Sequence, residues 1–357
     1  MLAQFDARTR VVALTALVAS VASLALRVGG GPDLAIFAAS AIGLAGLAAL
    51  VGDGTDQLGR RLGPSATGVL QSALGNLPEF FIGVFALQAG LVDVVRAALV
   101  GSILANTLLV LGLAFVAGGL RHGPQRFGAG QTRMMATLLV LAVAAMAIPT
   151  VATSVGAPAH GHEVELSVVV SIVLLAVFAA SIPASIAGGA GAVGVQPSED
   201  KAWPLRTALA VLLVAGIGAA FVSDWFVASL EPAMGALGMS QAFAGLVVVA
   251  IAGNAVENVV GVQAMLANKA DLAISVILNS SLQVALALTP VLVLVSLGLG
   301  GATLTLVVPP LFVAALALAA LLAALVVVDG ESTWLEGVAL IGLYAILAAS
   351  VWWGPTA

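Results

Sequence analysis

The stretch Gly75-Asn76-Leu77-Pro78-Glu79 decides how this chain is read. It returns as Gly253-Asn254-Ala255-Val256-Glu257, and both copies lie inside long apolar runs. Each copy puts a carboxylate near the middle of a segment long enough to cross a bilayer. A charge there costs roughly 3 kcal/mol on insertion scales, so an intramembrane Glu points to function. Two of them at matching places in two halves imply a cation site assembled from both halves.

Working outward, the match extends at a constant offset of 178 residues. Gly83 pairs with Gly261, Val84 with Val262, Ala86 with Ala264, Asp93 with Asp271, and Ser102 with Ser280. Apolar matches alone carry little weight in so apolar a chain; the Asn, Glu, Asp and Ser matches at one offset carry the repeat. Eleven apolar segments can be drawn, at 11–28, 33–52, 66–89, 94–118, 133–152, 164–187, 205–228, 240–266, 270–297, 304–328 and 334–353. Each is near the roughly 20 residues of a spanning helix, and helices are the spanning elements lipid allows here. The two Glu residues fall in the third and eighth segments, an odd number of crossings apart, so the repeats insert upside down relative to each other. The expected fold is an all-α polytopic membrane protein of about 11 transmembrane helices. It divides into an N-terminal helix (1–32), a first α-repeat half (33–190), a cytoplasmic linker (191–204) and a second, inverted half (205–357).

Composition sets the same bounds. Of 357 residues, 61% are hydrophobic and 8% charged, where a soluble domain carries about 25% charged. The 40 glycines suit close helix packing in lipid. Cysteine is absent, which excludes disulfides and thiolate metal sites. The first apolar run ends in Leu26-Arg27 without a small-residue cleavage site and is expected to stay as a membrane helix. Ten Lys and Arg (Arg8, Arg10, Arg60, Arg61, Arg121, Arg126, Arg133, Lys201, Arg206, Lys269) fall on one side and two (Arg27, Arg96) on the other. The positive-inside rule then puts the N-terminus in the cytoplasm and, with eleven spans, the C-terminus outside. A bacterial plasma membrane is expected, with the bilayer as surroundings and no nucleic-acid partner; a homo-oligomer is left open.

The chemistry follows from the donor types. Asn76 and Glu79 are three apart, as are Asn254 and Glu257, a spacing that shares one helix face. Carboxylate and amide oxygens suit hard cations such as Ca²⁺, which takes six to eight oxygens. Pro78 crowds the carbonyl four residues back, which offers the Leu74 carbonyl as a further ligand. The next segments add Ser102 and Asn106 in Gly101-Ser102-Ile103-Leu104-Ala105-Asn106, and Ser280 and Gln283 in Asn279-Ser280-Ser281-Leu282-Gln283. Two glutamates balance a divalent cation. Facing each other without it in a low dielectric, they take up protons instead. One pair of groups that holds either metal or protons is the basis of antiport.

These motifs resemble the calcium/cation antiporter superfamily, in its Ca²⁺/H⁺ exchanger (CAX) branch. The resemblance runs from about residue 40 to the C-terminus and is specific at 66–118 and 240–297. Asp329-Gly330-Glu331-Ser332-Thr333-Trp334-Leu335-Glu336-Gly337 also looks like that branch's approach to its last helix. The resemblance implies that Glu79 and Glu257 bind Ca²⁺ alternately with protons, helped by Asn76, Asn254, Ser102, Asn106, Ser280 and Gln283. It implies a carrier without enzymatic activity or a resident cofactor, exporting cytoplasmic Ca²⁺ against external H⁺. The alternative is a sodium-coupled Ca²⁺ exchanger or a monovalent cation/proton exchanger on the same fold. Sodium-coupled relatives place an Asp in one of the helices after the motifs, where this chain has Asn106 and Gln283. The sequence departs from the branch at Asn258, which stands where its pattern has a histidine, and at Leu77-Pro78, where the branch has Ala-Val.

Other polar residues have structural readings. Asp93 and Asp271 each precede a helix and are expected to cap it. Asp56 and Asp224 fit solvated span ends, and His160 and His162 with Glu163 and Glu165 a solvated loop. Gly83, Gly112 and Gly261 read as packing contacts. Gly188-Gly189-Ala190-Gly191 follows no strand and lacks a P-loop Lys, so it reads as linker. A metal-dependent membrane hydrolase is disfavoured because no His lies inside a span, and a passive channel fits inverted repeats less well than a carrier does.

Overall fold

The computed structural model describes residues 5–62, 74–187 and 203–353, and in it the chain is almost entirely helical. The helices are α1 (Ala7–Val28), α2 (Asp33–Leu62), α3 (Leu77–Gln88), α4 (Val92–His122), α5 (Ala129–Ser154), α6 (Glu163–Ala187), α7 (Leu205–Leu237), α8 (Gln241–Gly253), α9 (Ala255–Leu266), α10 (Ala270–Ser296), α11 (Pro310–Val327) and α12 (Trp334–Ser350). Among the described residues eight of these are long and apolar enough to cross a membrane, and α8 and α9 together form a further apolar pair bent by 60° at the break between them. α3 and α12 are shorter apolar helices. Gly188 to Gly191 and the linker expected at 191–204 lie outside the described residues up to residue 202.

The centre belongs to α4 and α10, whose apolar windows are 83% and 78% buried, against 17% for α1. α2 and α7 pack along each other, with Phe37 and Phe226 stacked at 5.0 Å, and α1 lies on α2. Small residues set how closely these helices approach. A Cβ on Gly46 would stand 2.7 Å from the Ala16 Cβ, and one on Gly43 would stand 2.9 Å from the Ser20 Oγ. At the crossing of α4 and α8 a Cβ on Gly101 would collide with the Leu246 backbone, and one on Gly245 with the Val94 carbonyl. In lipid, where apolar burial drives little association, such backbone approach is a main source of packing energy. The glycines expected to pack do so: Gly83 against Leu292, Gly261 against Ile277, and Gly112 against the Gly337 carbonyl.

Local chemistry explains most helix ends. Asp6 caps α1 by accepting from the Thr9 N–H at 3.0 Å, and hydrogen bonding from Thr9 holds its carboxyl below the usual range. Thr333 and Glu336 form a reciprocal capping box at the start of α12. The segment expected at 304–328 begins as a helix only at Pro310. Pro309 keeps the preceding backbone extended, and Pro310 is tolerated at the first helical position. The extended stretch before it is held by hydroxyls from other helices. Ser296 Oγ accepts from Leu304 N, Ser167 Oγ from Leu306 N, and Thr150 Oγ1 from Val308 N. These bonds satisfy backbone groups that lipid could not.

Asp93 and Asp271 do not cap their helices, as the sequence suggested; the capping positions are Leu91 and Lys269. Each instead ties a distant loop. Asp271 Oδ1 accepts from the Gly128 N–H at 2.6 Å. Asp93 pairs with Arg96 at 2.8 Å, and Arg96 reaches Thr305 Oγ1 at 2.9 Å. Beside Gly128, Gln125–Arg126 pairs antiparallel with Glu331–Ser332. Asp224 forms an ion pair with Arg27 at 3.4 Å, and His160 and His162 are exposed beside Glu163 and Glu165.

The glycine crossing makes a direct prediction. Gly101→Val should push α4 off α8 and lower stability by roughly 1–3 kcal/mol, the usual cost of overpacking. Gly342→Ala in α12, where a Cβ meets nothing within 4 Å, should leave stability unchanged or slightly raised. Thermal unfolding of both variants in detergent micelles checks the pair.

Candidate functional site

Both motif asparagines sit where the helix breaks, with nearly the same backbone. Asn76 precedes α3 at φ −96°, ψ 17°, and Asn254 separates α8 from α9 at φ −92°, ψ 17°. An asparagine at this position ordinarily turns its oxygen back onto the first turn of the helix that follows. Neither does so here. Both side chains reach across the bundle, each to the half of the sequence that holds the other motif.

Asn254 is the hub. Its Nδ2 lies 2.6 Å from Glu79 Oε1, 2.7 Å from Ser102 Oγ and 2.9 Å from the Ala250 carbonyl. Its Oδ1 accepts from Asn106 Nδ2 at 3.1 Å and from Ser280 Oγ at 3.4 Å. Asn106 Nδ2 also donates to Ser280 Oγ at 3.0 Å, and Ser102 Oγ donates to Glu79 Oε1 at 3.2 Å. Asn76 Nδ2 donates to Gln283 Oε1 at 3.1 Å. Six neutral residues expected at the site, Asn76, Asn254, Ser102, Asn106, Ser280 and Gln283, are therefore buried in contact with one another or with Glu79. The pairing differs from the expected one. Spacing put each asparagine on a face with its own glutamate, but the break takes the asparagine off that helix and turns it to the other half.

Glu79 and Glu257 are each the third residue of a helix, α3 and α9. Unpaired N–H groups at a helix start favour negative charge, which supports an ionised carboxylate at that position. The Glu257 side chain lies outside the described residues, so its place is fixed here through the backbone alone. Pro78 is the second residue of α3, where its missing N–H costs nothing. The chain has already broken at Asn76, so any exposure of the Leu74 carbonyl follows from that break and not from a proline kink.

Three features were not expected from sequence. Wide turns of the i→i+5 type interrupt α4 at Ala105–Val110, α8 at Ala244–Val249 and α10 at Val284–Leu288. Such turns recur at functional sites because they re-aim side chains. The first carries Asn106 and the third directly follows Gln283. Pro290, unable to donate to the carbonyl four residues back, gives the third a cause that sequence could have flagged. The second feature is Gly253, where a Cβ would stand 2.6 Å from the Glu79 Cγ, so the motif glycine makes room for the other motif's carboxylate. The third is a small cavity of about 30 Å³ lined by Glu79, Ile82 and Gly83 of α3 and by Val94, Val95 and Ser102 of α4.

The arrangement can hold a hard cation. Among the described residues no three His, Asp or Glu side chains cluster, and the oxygens nearest Glu79 belong to the neutral side chains of Ser102 and Asn254. Asn106 Oδ1 is buried with no hydrogen-bond partner among the described residues, an acceptor still available to a ligand.

Known proteins resemble this chain over most of its length. The family model described as sodium/calcium exchanger protein matches residues 33–187 and 207–353. A Ca²⁺/H⁺ antiporter of Synechocystis sp. is 35% identical over 348 residues, covering 92% of this chain and 93% of the relative. The Ca²⁺/H⁺ antiporter ChaA of Bacillus subtilis is 33% identical over 324 residues, covering 89% and 92%. Among solved structures, native YfkE superimposes with a TM-score of 0.83 at 30% identity, over 96% of this chain and 99% of YfkE. With both motifs inside the matched residues and the match spanning most of its length, the chain belongs to the sodium/calcium exchanger protein family.

Proposed function

We propose that this protein is a secondary antiporter that exchanges Ca²⁺ for H⁺. One observation carries the reading: a glutamate at a helix start, Glu79, is held by the amide of Asn254 at 2.6 Å and the hydroxyl of Ser102 at 3.2 Å in a buried centre of otherwise neutral oxygens. The relatives named above as Ca²⁺/H⁺ antiporters support the choice of ions.

The chemistry runs on competition for one set of oxygens. Ca²⁺ takes the glutamate charge and the amide and hydroxyl oxygens around it. When it leaves, the carboxylate loses its counter-charge in a low dielectric, and a proton restores neutrality. Asn254 and Ser102 donate to the same carboxylate oxygen and position it for either occupant. Glu257, placed at the same step of the other helix start, acts as the second carboxylate, and the Leu74 carbonyl adds a further oxygen. The side chains named here do no bond-making chemistry, so the reading is of a carrier and not an enzyme.

Eleven spans arranged as one extra helix and two inverted five-helix repeats fit the structure. The same 178-residue offset relates Asn76 to Asn254, whose backbone angles agree, and relates most of the wide turn at Ala105–Val110 to that at Val284–Leu288. In this arrangement the α2–α7 pair slides against the helices that hold the site. Calcium leaves the cytoplasm of a bacterial cell, the N-terminus is inside and the C-terminus is outside. Sodium-coupled exchange is the rival reading. It is disfavoured because the side chains that follow the motifs on α4 and α10 are the amides Asn106 and Gln283, which supply no additional charge for Na⁺.

Three outcomes test the reading. In everted membrane vesicles, an imposed pH gradient should drive ⁴⁵Ca²⁺ uptake equally with and without sodium; uptake that requires sodium selects the rival. Glu79→Gln should abolish the flux while the protein still reaches the membrane in normal amount. Asn254→Ala removes a hydrogen bond to a charged group, worth about 1.5–3 kcal/mol, and should weaken apparent Ca²⁺ affinity about 10- to 100-fold in the same assay.

A further inference from the structure

We propose that Asn258 and Asn106 form a second, neutral-oxygen station for the transported divalent cation, next to the glutamate site and on the α9 side of it. The inference rests on the reading of this centre as a Ca²⁺/H⁺ antiport site. Its starting point is a pair of orphaned acceptors. Asn258 Oδ1 and Asn106 Oδ1 are both buried, and neither has a hydrogen-bond partner among the described residues. Asn106 is fully buried. Buried amide oxygens are ordinarily satisfied, and two left open in one region point to a ligand that needs acceptors.

The fold brings them to one place. The Asn258 N–H donates to the Asn254 carbonyl at 3.0 Å, so Asn258 stands in the first turn of α9, just past the break. Within α9, Gly261 three residues further shares the face of Asn258, and a Cβ there would stand 2.7 Å from Ile277 of α10 and 3.7 Å from Val110 of α4. α9 thus starts from Asn254 against Asn106 and Ser280, and past Asn258 it meets Ile277 and Val110 at Gly261. Asn258 falls between them, toward the α4–α10 groove. Val110 follows Asn106 by one wide turn on α4. The two amides therefore come from helices that meet both above and below them. The other groups bounding this stretch, Val110, Ile277 and Gly261, carry no side-chain donor that could satisfy the oxygens.

An amide oxygen does not titrate, so such a station holds a cation and never a proton. A cation leaving Glu79 toward α9 passes from a carboxylate it shares with protons to oxygens it does not share. That lowers the cost of shedding the charged ligand and favours calcium over protons on this side of the path.

The test uses the full-length protein in vesicles, with ⁴⁵Ca²⁺ supplied in turn on each side. Asn258→Ala should raise the half-saturating calcium concentration on one side about threefold to tenfold and leave the maximal rate within twofold. Asn258→Asp, nearly the same size, should lower it on that side, and this variant keeps the test open if the alanine variant does not fold. Unchanged half-saturation in both variants, with normal wild-type exchange, would overturn the station alone. A fall in maximal rate with half-saturation unmoved would also overturn it, since that marks a structural role. A wild-type protein that does not exchange calcium for protons would overturn the antiport reading and this inference with it.

Discussion

The hydrogen bond from the Asn254 amide to the Glu79 carboxylate, 2.6 Å long, joins the two sequence motifs at the buried centre of the molecule. Much of the structure serves to make that contact. The chain breaks at Asn254, so the side chain is free to leave its helix. Gly253 lacks a side chain, so the carboxylate can approach. Gly101 and Gly245 let α4 and α8 meet backbone to backbone, which brings Ser102 beside Ala250 and within reach of the same carboxylate. A carboxylate in this position is costly, and the helix start on which it stands and the bonds from Asn254 and Ser102 offset part of that cost. The remainder is what a cation or a proton supplies.

The two motifs are alike in sequence and backbone but not in detail, and the difference has consequences. Asn254 binds Glu79 and Asn76 binds Gln283, while the Glu257 side chain lies outside the described residues. The first motif has Pro78 where the second has Val256, and Asn258 stands in α9 where α3 has Phe80. A site of this kind need not treat its two sides equally. The distant ties are uneven as well: Asp271 reaches Gly128 directly, while Asp93 works through Arg96 to reach Thr305. These bonds anchor the first turns of α4 and α10, the two helices carrying Ser102, Asn106, Ser280 and Gln283, while α2 packs on α7 and α1.

The polar residues that meet around Asn254 and Glu79 stood out in the sequence because a carboxylate, amide or hydroxyl inside an apolar span is rare, and a fixed offset between two copies is hard to produce by chance. The all-helical, membrane-spanning character was legible as hydrophobic runs; the segment expected at 66–89 begins outside the described residues, and at 304–328 the Pro309-Pro310 pair outweighs hydropathy. What could not be read was how the side chains pair. Spacing of three assumes a continuous helix, and the breaks at Asn76 and Asn254 remove it. The wide turns on α4 and α8 leave no mark in composition; the one on α10 is marked only by Pro290. Asp93 and Asp271 were misread because a carboxylate in a first turn looks like a cap, while Asp271 binds a loop far away in sequence and Asp93 pairs with Arg96, which reaches another.

The central claim is that metal and protons compete for the carboxylate that Asn254 holds. The most direct measurement adds calcium to purified protein in weakly buffered detergent solution and follows the pH while calcium binding is recorded. The account predicts that binding releases protons, with half-saturation that weakens as pH falls, and that Glu79→Gln loses both the binding and the release. Calcium bound at full affinity with no proton released, or release that persists in Glu79→Gln, would contradict it.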